Sequence, residues 1–505
     1  MTAPRMEGPF RVFVGLAPQG YLQSESLGAV IREGIRFCQL NHKLTGKVVI
    51  RPDLSGADES FSPYCYTNPQ IVRETLQILA GPPFFREDVF VAAQAPGIFR
   101  TTHALLQAHG SLHTFKSRGY YGLTTLFPHA KIESIEDGPL RRYLLGKDGM
   151  VSGDATAAGP RPRFWSEILG SGHFFDADCL IYAPKIRSSL MTGGFSGALK
   201  LGGMGNLVFD QATRGQDLHN DRRIVDMLEV ACPDIVIGDG IIIPFGGHEL
   251  TAPAHELGVV LVANNPVAHD LVAAHILGVD PAGIGHLKIA QERGWGPTDL
   301  SKITLGGAGA EGLGMLRAKT ALWTKPPQTL TSFIKNFEES DPVRRFPFEV
   351  LDGGGFEPSG VHGAFLSWLY LNYDVPSRRA AMARWPKATV VLAPTNQLPR
   401  NRRVYVLGDR AMAEFRKNIV ETRFSFQWGS RQFLSVRLRN GRRHSVVFQP
   451  GSPPLERDLC LTFLMGSKLR IRTGMLRLAL HQGAPRRQER NTAAAYAAAP
   501  LASTL

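Results

Sequence analysis

Residues 178–200 read DCLIYAPKIRSSLMTGGFSGALK. The first six residues are predicted to form a strand, because the apolar run that follows Asp178 is typical of a strand buried in a parallel sheet. Two cations, Lys185 and Arg187, follow this strand directly, and a glycine-rich segment then leads to Lys200. Ligands of open α/β sheets bind at the carboxyl ends of the strands. The stretch therefore predicts an α/β fold with a parallel sheet, and a binding site at the carboxyl end of this strand.

On either side of this stretch, short strand patterns alternate with helical ones. Strands are predicted at 11–16, 47–51, 88–92, 234–237 and 259–264, and helices at 24–39, 69–80, 101–109, 224–232 and 266–277. This alternation is typical of an α/β fold with a mostly parallel, doubly wound sheet. Residues 141–163 are polar and rich in Gly, Ala and Pro, so we expect an excursion from the sheet there.

The last third of the chain has a different character. From residue 341 onward Lys and Arg outnumber Asp and Glu by 26 to 11, whereas the preceding residues hold 31 against 33. Asn440-Gly441 lies within the alternating segment 424–448 and predicts a hairpin. We expect an α/β domain over 1–330, a smaller basic α+β domain over 335–485 and a disordered tail over 486–505. Residues 459–480 are expected to pack in the core or, alternatively, to lie on a membrane surface.

Composition excludes several classes of protein. No uninterrupted apolar window of about 18 residues occurs, so no membrane-spanning helix is expected. The five cysteines are scattered and form no CxxC pair, so neither a structural zinc nor an iron–sulfur cluster is expected. This cysteine usage suits a reducing compartment, and we expect a cytoplasmic protein.

Four residues are candidates for catalysis. Lys200 lies in an apolar, glycine-rich segment and could act as a point charge, a base of lowered pKa or a covalent amine. His219 has acidic neighbours and could serve as a base or bind a metal. Asp239 follows an apolar run and Asp270 precedes one, and each could transfer protons or bind a metal. A turn at Asp239-Gly240 and a helix-terminal charge at Asp270 are the structural alternatives.

The residues expected to bind the substrate lie at predicted strand ends. Lys185 and Arg187 follow one strand, Arg51 and Asp53 end another, and Gly197 would let the backbone approach a ligand closely. An alternative for these cations is an ordinary solvated loop. The helix at 224–232 is expected to be capped by Asn220 or Asp221.

The ordered set of motifs resembles a known family, the domain of unknown function family 362, over about residues 48–309. Its matching blocks are Arg51-Pro52-Asp53, Thr67 with Pro69 and Val72, Pro184-Lys185-Ile186-Arg187, Ser196 through Lys200, His219, Asp239-Gly240 and Asp270 with Asp280-Pro281. Members of this family often occur beside ferredoxin-type iron–sulfur domains. The cysteine motifs of those domains are missing here, so the resemblance does not imply an iron–sulfur cluster. The chain also departs from the family pattern at Leu201, where the family has Asn, and at Arg187 and Ser189, where it has Lys and His.

The phrase GGFSGALKLGGMG, followed by His219, is also weakly similar to nickel-pincer lactate racemases. This similarity implies a metal or metal-containing cofactor held by Lys200 and placed close to His219. Two functions are expected from the whole pattern. The first is an enzyme that binds a small anionic substrate or cofactor, with racemase-like or redox chemistry. The second is a non-catalytic module whose basic C-terminal third docks a polyanion, a redox partner or another protein. No specific nucleic-acid-binding motif occurs.

Overall fold

The computed structural model describes residues 9–54, 64–86, 88–93, 115, 118–135, 140–145, 163–190, 192–205, 216–247, 252–323, 330–340, 346–353, 360–373, 379, 382, 385–428 and 431–449. The predicted helix at 101–109, most of the excursion at 141–163, the segment 459–480 and the tail 486–505 lie outside these residues. The described residues form two compact units. We call the residues within Met1–Ala212 and Asp221–Lys325 the α/β unit, and those within Thr213–Asn220 and Pro326–Gln482 the C-terminal unit. The helix Gln216–Asp226 spans this division after Asn220 and is given below with the α/β unit.

The α/β unit alternates strands and helices along most of its length. Its elements are β1 (Phe10–Leu16), α1 (Ser24–Phe37), β2 (Val48–Pro52), α2 (Pro69–Ala80), β3 (Val89–Ala93), α3 (Tyr121–Leu126), β4 (Ala130–Ser134), β5 (Leu140–Leu144), β6 (Glu167–Ser171), α4 (Gly172–Phe175), β7 (Cys179–Ala183), α5 (Ala198–Gly205), α6 (Gln216–Asp226), α7 (Leu228–Ala231), β8 (Ile235–Pro244), β9 (Ala254–Ala263), α8 (Pro266–Leu277), α9 (Gly285–Glu292), β10 (Ile303–Gly307) and α10 (Gly309–Ala321).

Eight of these strands form one sheet in the order β10-β1-β9-β8-β7-β2-β3-β4. Strand β9 is antiparallel to both of its neighbours, β1 and β8, and every other pair is parallel. Strands β5 and β6 pair separately as an antiparallel ribbon. The predicted α/β class with a mostly parallel sheet is therefore confirmed.

Side chains alternate across the large sheet and form a core on each face. Val12 and Val14 pack in one buried cluster, whereas Phe13 between them packs in the other. Helices α1 and α2 cover the face of Phe13, and α8 covers the face of Val12 and Val14. Helix α8 begins after Asn265, whose side chain accepts from Val267 N and Ala268 N at 2.9 Å each. Helices thus cover both faces, as a doubly wound sheet requires.

The C-terminal unit is smaller and mixes helices with a second sheet. Its elements are α11 (Leu330–Ser340), β11 (Phe348–Leu351), α12 (Gly360–Tyr373), β12 (Ala388–Val391), β13 (Arg403–Leu407), α13 (Asp409–Arg416), β14 (Ile419–Trp428), β15 (Arg431–Leu438) and β16 (Arg443–Gln449). The sheet order is β11-β12-β13-β16-β15-β14. Strands β15 and β16 form the hairpin predicted around Asn440-Gly441, and Gly441 has the φ of +77° that such turns need.

Two local predictions are wrong. The helix predicted at 224–232 begins at Gln216, so Asn220 and Asp221 lie inside α6 and do not cap its start. Instead, Asp221 Oδ1 lies 3.2 Å from His286 Nδ1 of α9. The strands predicted at 234–237 and 259–264 are both longer than predicted, because β8 and β9 have 10 residues each and pair with one another.

No helix within the described part of the chain is long and apolar enough to cross a membrane.

Candidate functional site

Charged residues gather at the carboxyl ends of three neighbouring parallel strands, β2, β7 and β8. Arg51 lies in β2, with Asp53 just beyond it, and Lys185 follows β7. Strand β8 continues past the end of β7, and there Asp239 forms an isolated parallel bridge with Lys185. The sequence alone placed these four residues on one edge of the sheet, and the structure brings them to that edge.

Lys185 and Asp239 form a fully buried ion pair. Lys185 Nζ lies 3.0 Å from Asp239 Oδ1, and the two side chains are 1% and 0% exposed. Tyr21, in the loop between β1 and α1, joins them: its hydroxyl donates to Asp239 Oδ1 at 2.7 Å and accepts from Lys185 Nζ at 3.0 Å. Ammonium, phenol and carboxylate therefore form a closed triangle of hydrogen bonds.

Backbone amides complete the surroundings of the Asp239 carboxylate. Asn68 N donates to Oδ2 at 2.9 Å and Ile241 N approaches Oδ1 at 3.3 Å. Asn68 is also the cap of α2, because its side chain accepts from Gln70 N. The carboxylate thus lies against the N-terminal end of a helix, where a negative charge is stabilised.

Burial shifts the pKa values of two groups in this triangle, the Lys185 ammonium and the Tyr21 phenol. It lowers the pKa of the Lys185 ammonium, and the attraction of Asp239 opposes that change. Burial also raises the pKa of the Tyr21 phenol, and the neighbouring Asp239 charge raises it further. The phenol therefore stays protonated, and the ammonium gives up its proton more readily than an exposed lysine does.

A second buried pair lies beside this triangle. Arg187 Nη2 lies 3.4 Å from Asp53 Oδ2. The Asp53 backbone is held in place, because its N–H lies 3.0 Å from Thr67 Oγ1, which in turn donates to Ala183 O. The ends of β2 and β7 and the start of α2 are thereby joined through Asp53 and Thr67.

Arg51 is buried against aromatic rings. Its guanidinium carbon lies 5.4 Å from the ring centre of Phe174 and 5.5 Å from that of Tyr182, and its Nη1 donates to Leu201 O of α5. These contacts connect the end of β2 to the helix that carries Lys200. Lys200 Nζ itself donates to Ser189 Oγ at 2.7 Å.

Asp270 caps the helix of Lys200. Its carboxylate accepts from Ala198 N at 2.7 Å and from Leu199 N at 2.9 Å, and Oδ1 lies 2.8 Å from His269 Nδ1. A Cβ at Gly197 would overlap Asp270 Oδ1, so the glycine allows the carboxylate to reach the helix. The amides at the start of α5 are therefore bound by a protein carboxylate. The only structural role that the sequence indicated for Asp270 was a charge near the start of its own helix, α8, and it did not indicate this contact with α5.

His219 lies in α6, but its side chain is outside the described residues, as is Asp217. Among the side chains that the structure describes, no three His, Cys, Asp or Glu residues converge to hold a metal ion. The cofactor expected at Lys200 and His219 accordingly stays a prediction.

Sequence reasoning missed Tyr21, Asn68, Ser189 and His269. A signal existed for the first two, since Tyr21 follows β1 and Asn68 precedes α2, and both segments lie at the carboxyl edge of a parallel sheet. Ser189, two residues after Arg187, was visible only as a departure from the family pattern. His269 adjoins Asp270, a candidate from the start, but the capping contact that orients both depends on packing between α8 and α5.

Replacing Gly238 with alanine tests the packing below the site. A Cβ there would overlap His269 Nε2, an atom that is buried at the sheet surface. We expect Gly238→Ala to destabilise the α/β unit by about 1–3 kcal/mol, the usual cost of overpacking, measured as the midpoint of thermal unfolding. Gly238→Ala combined with His269→Ala should recover part of that loss. An unchanged midpoint in the single variant would contradict this contact.

With the geometry described, the chain is defined as an α/β protein that carries a buried cluster of charged residues at the carboxyl edge of its sheet. Residues 48–275 match the family model described as Domain of unknown function (DUF362). This match supports the family prediction that the motifs gave for this part of the chain. No curated protein and no solved structure matches the chain, so the similarity to lactate racemases is not shown.

Proposed function

We propose that the α/β unit is the main part of a cytoplasmic enzyme that binds a small anionic substrate or cofactor at the carboxyl edge of its sheet. The observation that carries the proposal is the buried triangle of Lys185, Asp239 and Tyr21 beside the Arg187–Asp53 pair. Buried charges are costly even when paired, and perturbed titratable groups gather at functional sites.

Anion binding is assigned to the cations at the strand ends. Arg187 and Arg51 present planar guanidinium groups, which bind carboxylate and phosphate in a bidentate manner. Both lie in blocks that resemble the family, although Arg187 stands where the family pattern has a lysine, and both are buried, at 1% exposure for Arg187 and 2% for Arg51. Binding to such groups would be strong because water does not compete with the ligand.

Proton transfer is assigned to the triangle. A lysine whose pKa is lowered by burial gives up its proton more readily, and the neutral amine can then accept a proton from the substrate, whereas a phenol that stays protonated can donate one. Asp239 holds both groups in place through a single oxygen. This arrangement favours racemase-like removal and return of a proton on a bound small acid.

Thermal unfolding of the full chain with added anions tests the binding step. Inorganic phosphate, succinate and L-lactate serve as probes, and an anion at ten times its Kd adds about 1.4 kcal/mol to the stability. We expect at least one probe to raise the midpoint for the wild type and for Lys302→Gln, an exposed control. We expect no such increase for Arg187→Gln. If Arg187→Gln fails to fold, Arg187→Lys replaces it and should weaken binding at least tenfold.

Incorporation of deuterium from D2O at the Cα of a bound acid, followed by proton NMR, tests the chemical step. Lys185→Gln and Tyr21→Phe should each lower the exchange rate at least a hundredfold, whereas Lys302→Gln should leave it unchanged. If none of the probes raises the midpoint, the proposed anion binding is refuted. If an anion binds but no deuterium is incorporated, anion binding stands and only the proposed proton transfer is refuted.

A further inference from the structure

The C-terminal unit presents an open sheet face that carries aromatic rings and arginines. In β15, Leu434, Val436 and Leu438 pack into the core, so the residues between them point to the opposite face. Phe433 precedes Leu434 in the strand and so also points to this outer face. Phe426 pairs with Phe433 across the β14–β15 ladder, and paired residues lie on the same face of a sheet, so Phe426 lies on the outer face too.

The outer face extends over three strands. Phe424 pairs with Ser435 in the β14–β15 ladder, and Arg437 pairs with Arg443 in the β15–β16 ladder. We call Phe424, Phe426, Phe433, Arg437 and Arg443 the aromatic–arginine face.

Its rings are exposed to an unusual degree for phenylalanine. Phe424 is 58% exposed and Phe426 is 52% exposed, and the ring centres of Phe426 and Phe433 lie 6.3 Å apart. Large apolar side chains that lie together on an exposed surface mark a binding site more often than isolated ones do.

The charge around these rings is strongly positive. Residues 416–449 hold eight Lys and Arg residues and a single acidic one, Glu421. The Glu421 carboxylate lies 3.0 Å from Arg423 Nε and 3.1 Å from Arg437 Nη2, so it holds these two guanidinium groups beside the rings. Arg423 is the extra residue of the bulge in β14, between Thr422 and Phe424.

We infer that the aromatic–arginine face binds single-stranded nucleic acid without sequence preference. Sequence-tolerant binding of single strands combines aromatic side chains, on which bases stack, with a basic surface that follows the phosphates. The face supplies both on rigid, paired strands. Anionic membranes are more often met by amphipathic helices or lipid anchors, which insert apolar groups below the headgroups. A duplex would engage the arginines alone, since its bases are already stacked.

Fluorescence anisotropy of a labelled 15-nucleotide oligo(dT) with the full chain tests the inference. We expect the affinity to fall steeply with salt. The double variant Phe424→Leu, Phe426→Leu keeps apolar side chains but removes the ring faces, and it should weaken binding about tenfold per ring. Arg437→Gln should weaken binding and reduce the salt dependence by about one phosphate contact. Phe85→Leu, at another exposed phenylalanine, is the matched control and should bind as the wild type does.

Several outcomes would overturn the inference. Binding of oligo(dT) by the leucine double variant as tightly as by the wild type would show that base stacking contributes nothing. Equal affinity for a 15-base-pair duplex would assign the surface to phosphate binding only. Binding to vesicles that contain phosphatidylglycerol, with no binding to oligo(dT), would assign it to membranes.

Discussion

Asp239→Asn is expected to lower the free energy of unfolding of the α/β unit by about 3–5 kcal/mol, because it leaves a buried ammonium without its counter-charge. Lys185 is 1% exposed and its Nζ lies 3.0 Å from the carboxylate that the substitution neutralises. The amide oxygen of asparagine can still accept from Tyr21 at the Oδ1 position, but the amide nitrogen at the Oδ2 position cannot accept from Asn68 N. The loss therefore includes this hydrogen bond as well as the charge pair.

A double-mutant cycle separates this interaction from the other contacts of the two residues. Lys185→Met alone should also destabilise the unit strongly, and Lys185→Met with Asp239→Asn should cost clearly less than the sum of the single changes. Asp88→Asn is the control, since Asp88 and Lys131 form an exposed pair at 3.7 Å that should contribute at most about 1 kcal/mol. Midpoints of thermal unfolding measure all four variants. Additive losses would show that the pair is not coupled.

Asp270→Ala is expected to cost more than about 3 kcal/mol, because it leaves two buried amides and a buried imidazole without their acceptor. Ala198 N, Leu199 N and His269 Nδ1 all lose their partner in this variant. Hydrogen exchange at the amides of α5 should become much faster, since the first turn would no longer be capped. Asp270→Asn keeps one acceptor oxygen and should cost less.

Asp280→Ala provides the comparison for this cap. Asp280 also accepts a backbone hydrogen bond, from Ala282 N at 3.0 Å, but at an exposed position. Its loss should cost about 1 kcal/mol or less. Equal midpoints for the two alanine variants would contradict the role assigned to Asp270 as a buried cap.

Much of the fold follows from local patterns in the sequence. The apolar runs of β2, β7 and β8 and the capped helices α2 and α8 are visible as sequence, and their alternation implies a mostly parallel sheet. The antiparallel course of β9 is not visible, because its apolar run fits either direction. The start of α6 was missed because Asn220 and Asp221 are good cap residues by type, whereas the structure places both inside the helix, where Asp221 contacts His286 of α9.

The candidate site was predictable only in part. Positions after strands identified Lys185, Arg187 and Asp239, since the carboxyl edge of a parallel sheet is where ligands bind. The contacts between them were not predictable, because Tyr21 is 218 residues away from Asp239 in the chain. The same limit applies to Asp270, whose carboxylate reaches α5 across 72 residues.

The position of β1 in the sheet determines when the α/β unit can be completed during synthesis. Strand β1, the first strand that the structure describes, pairs with β9 on one side and with β10 on the other, and these partners are translated about 240 to 290 residues later. Residues 48–275 contain β9 but neither β1 nor β10. A fragment cut at the borders of the family match would therefore expose one edge of β9 and lack Tyr21, which makes those borders unsuitable ends for an expressed domain.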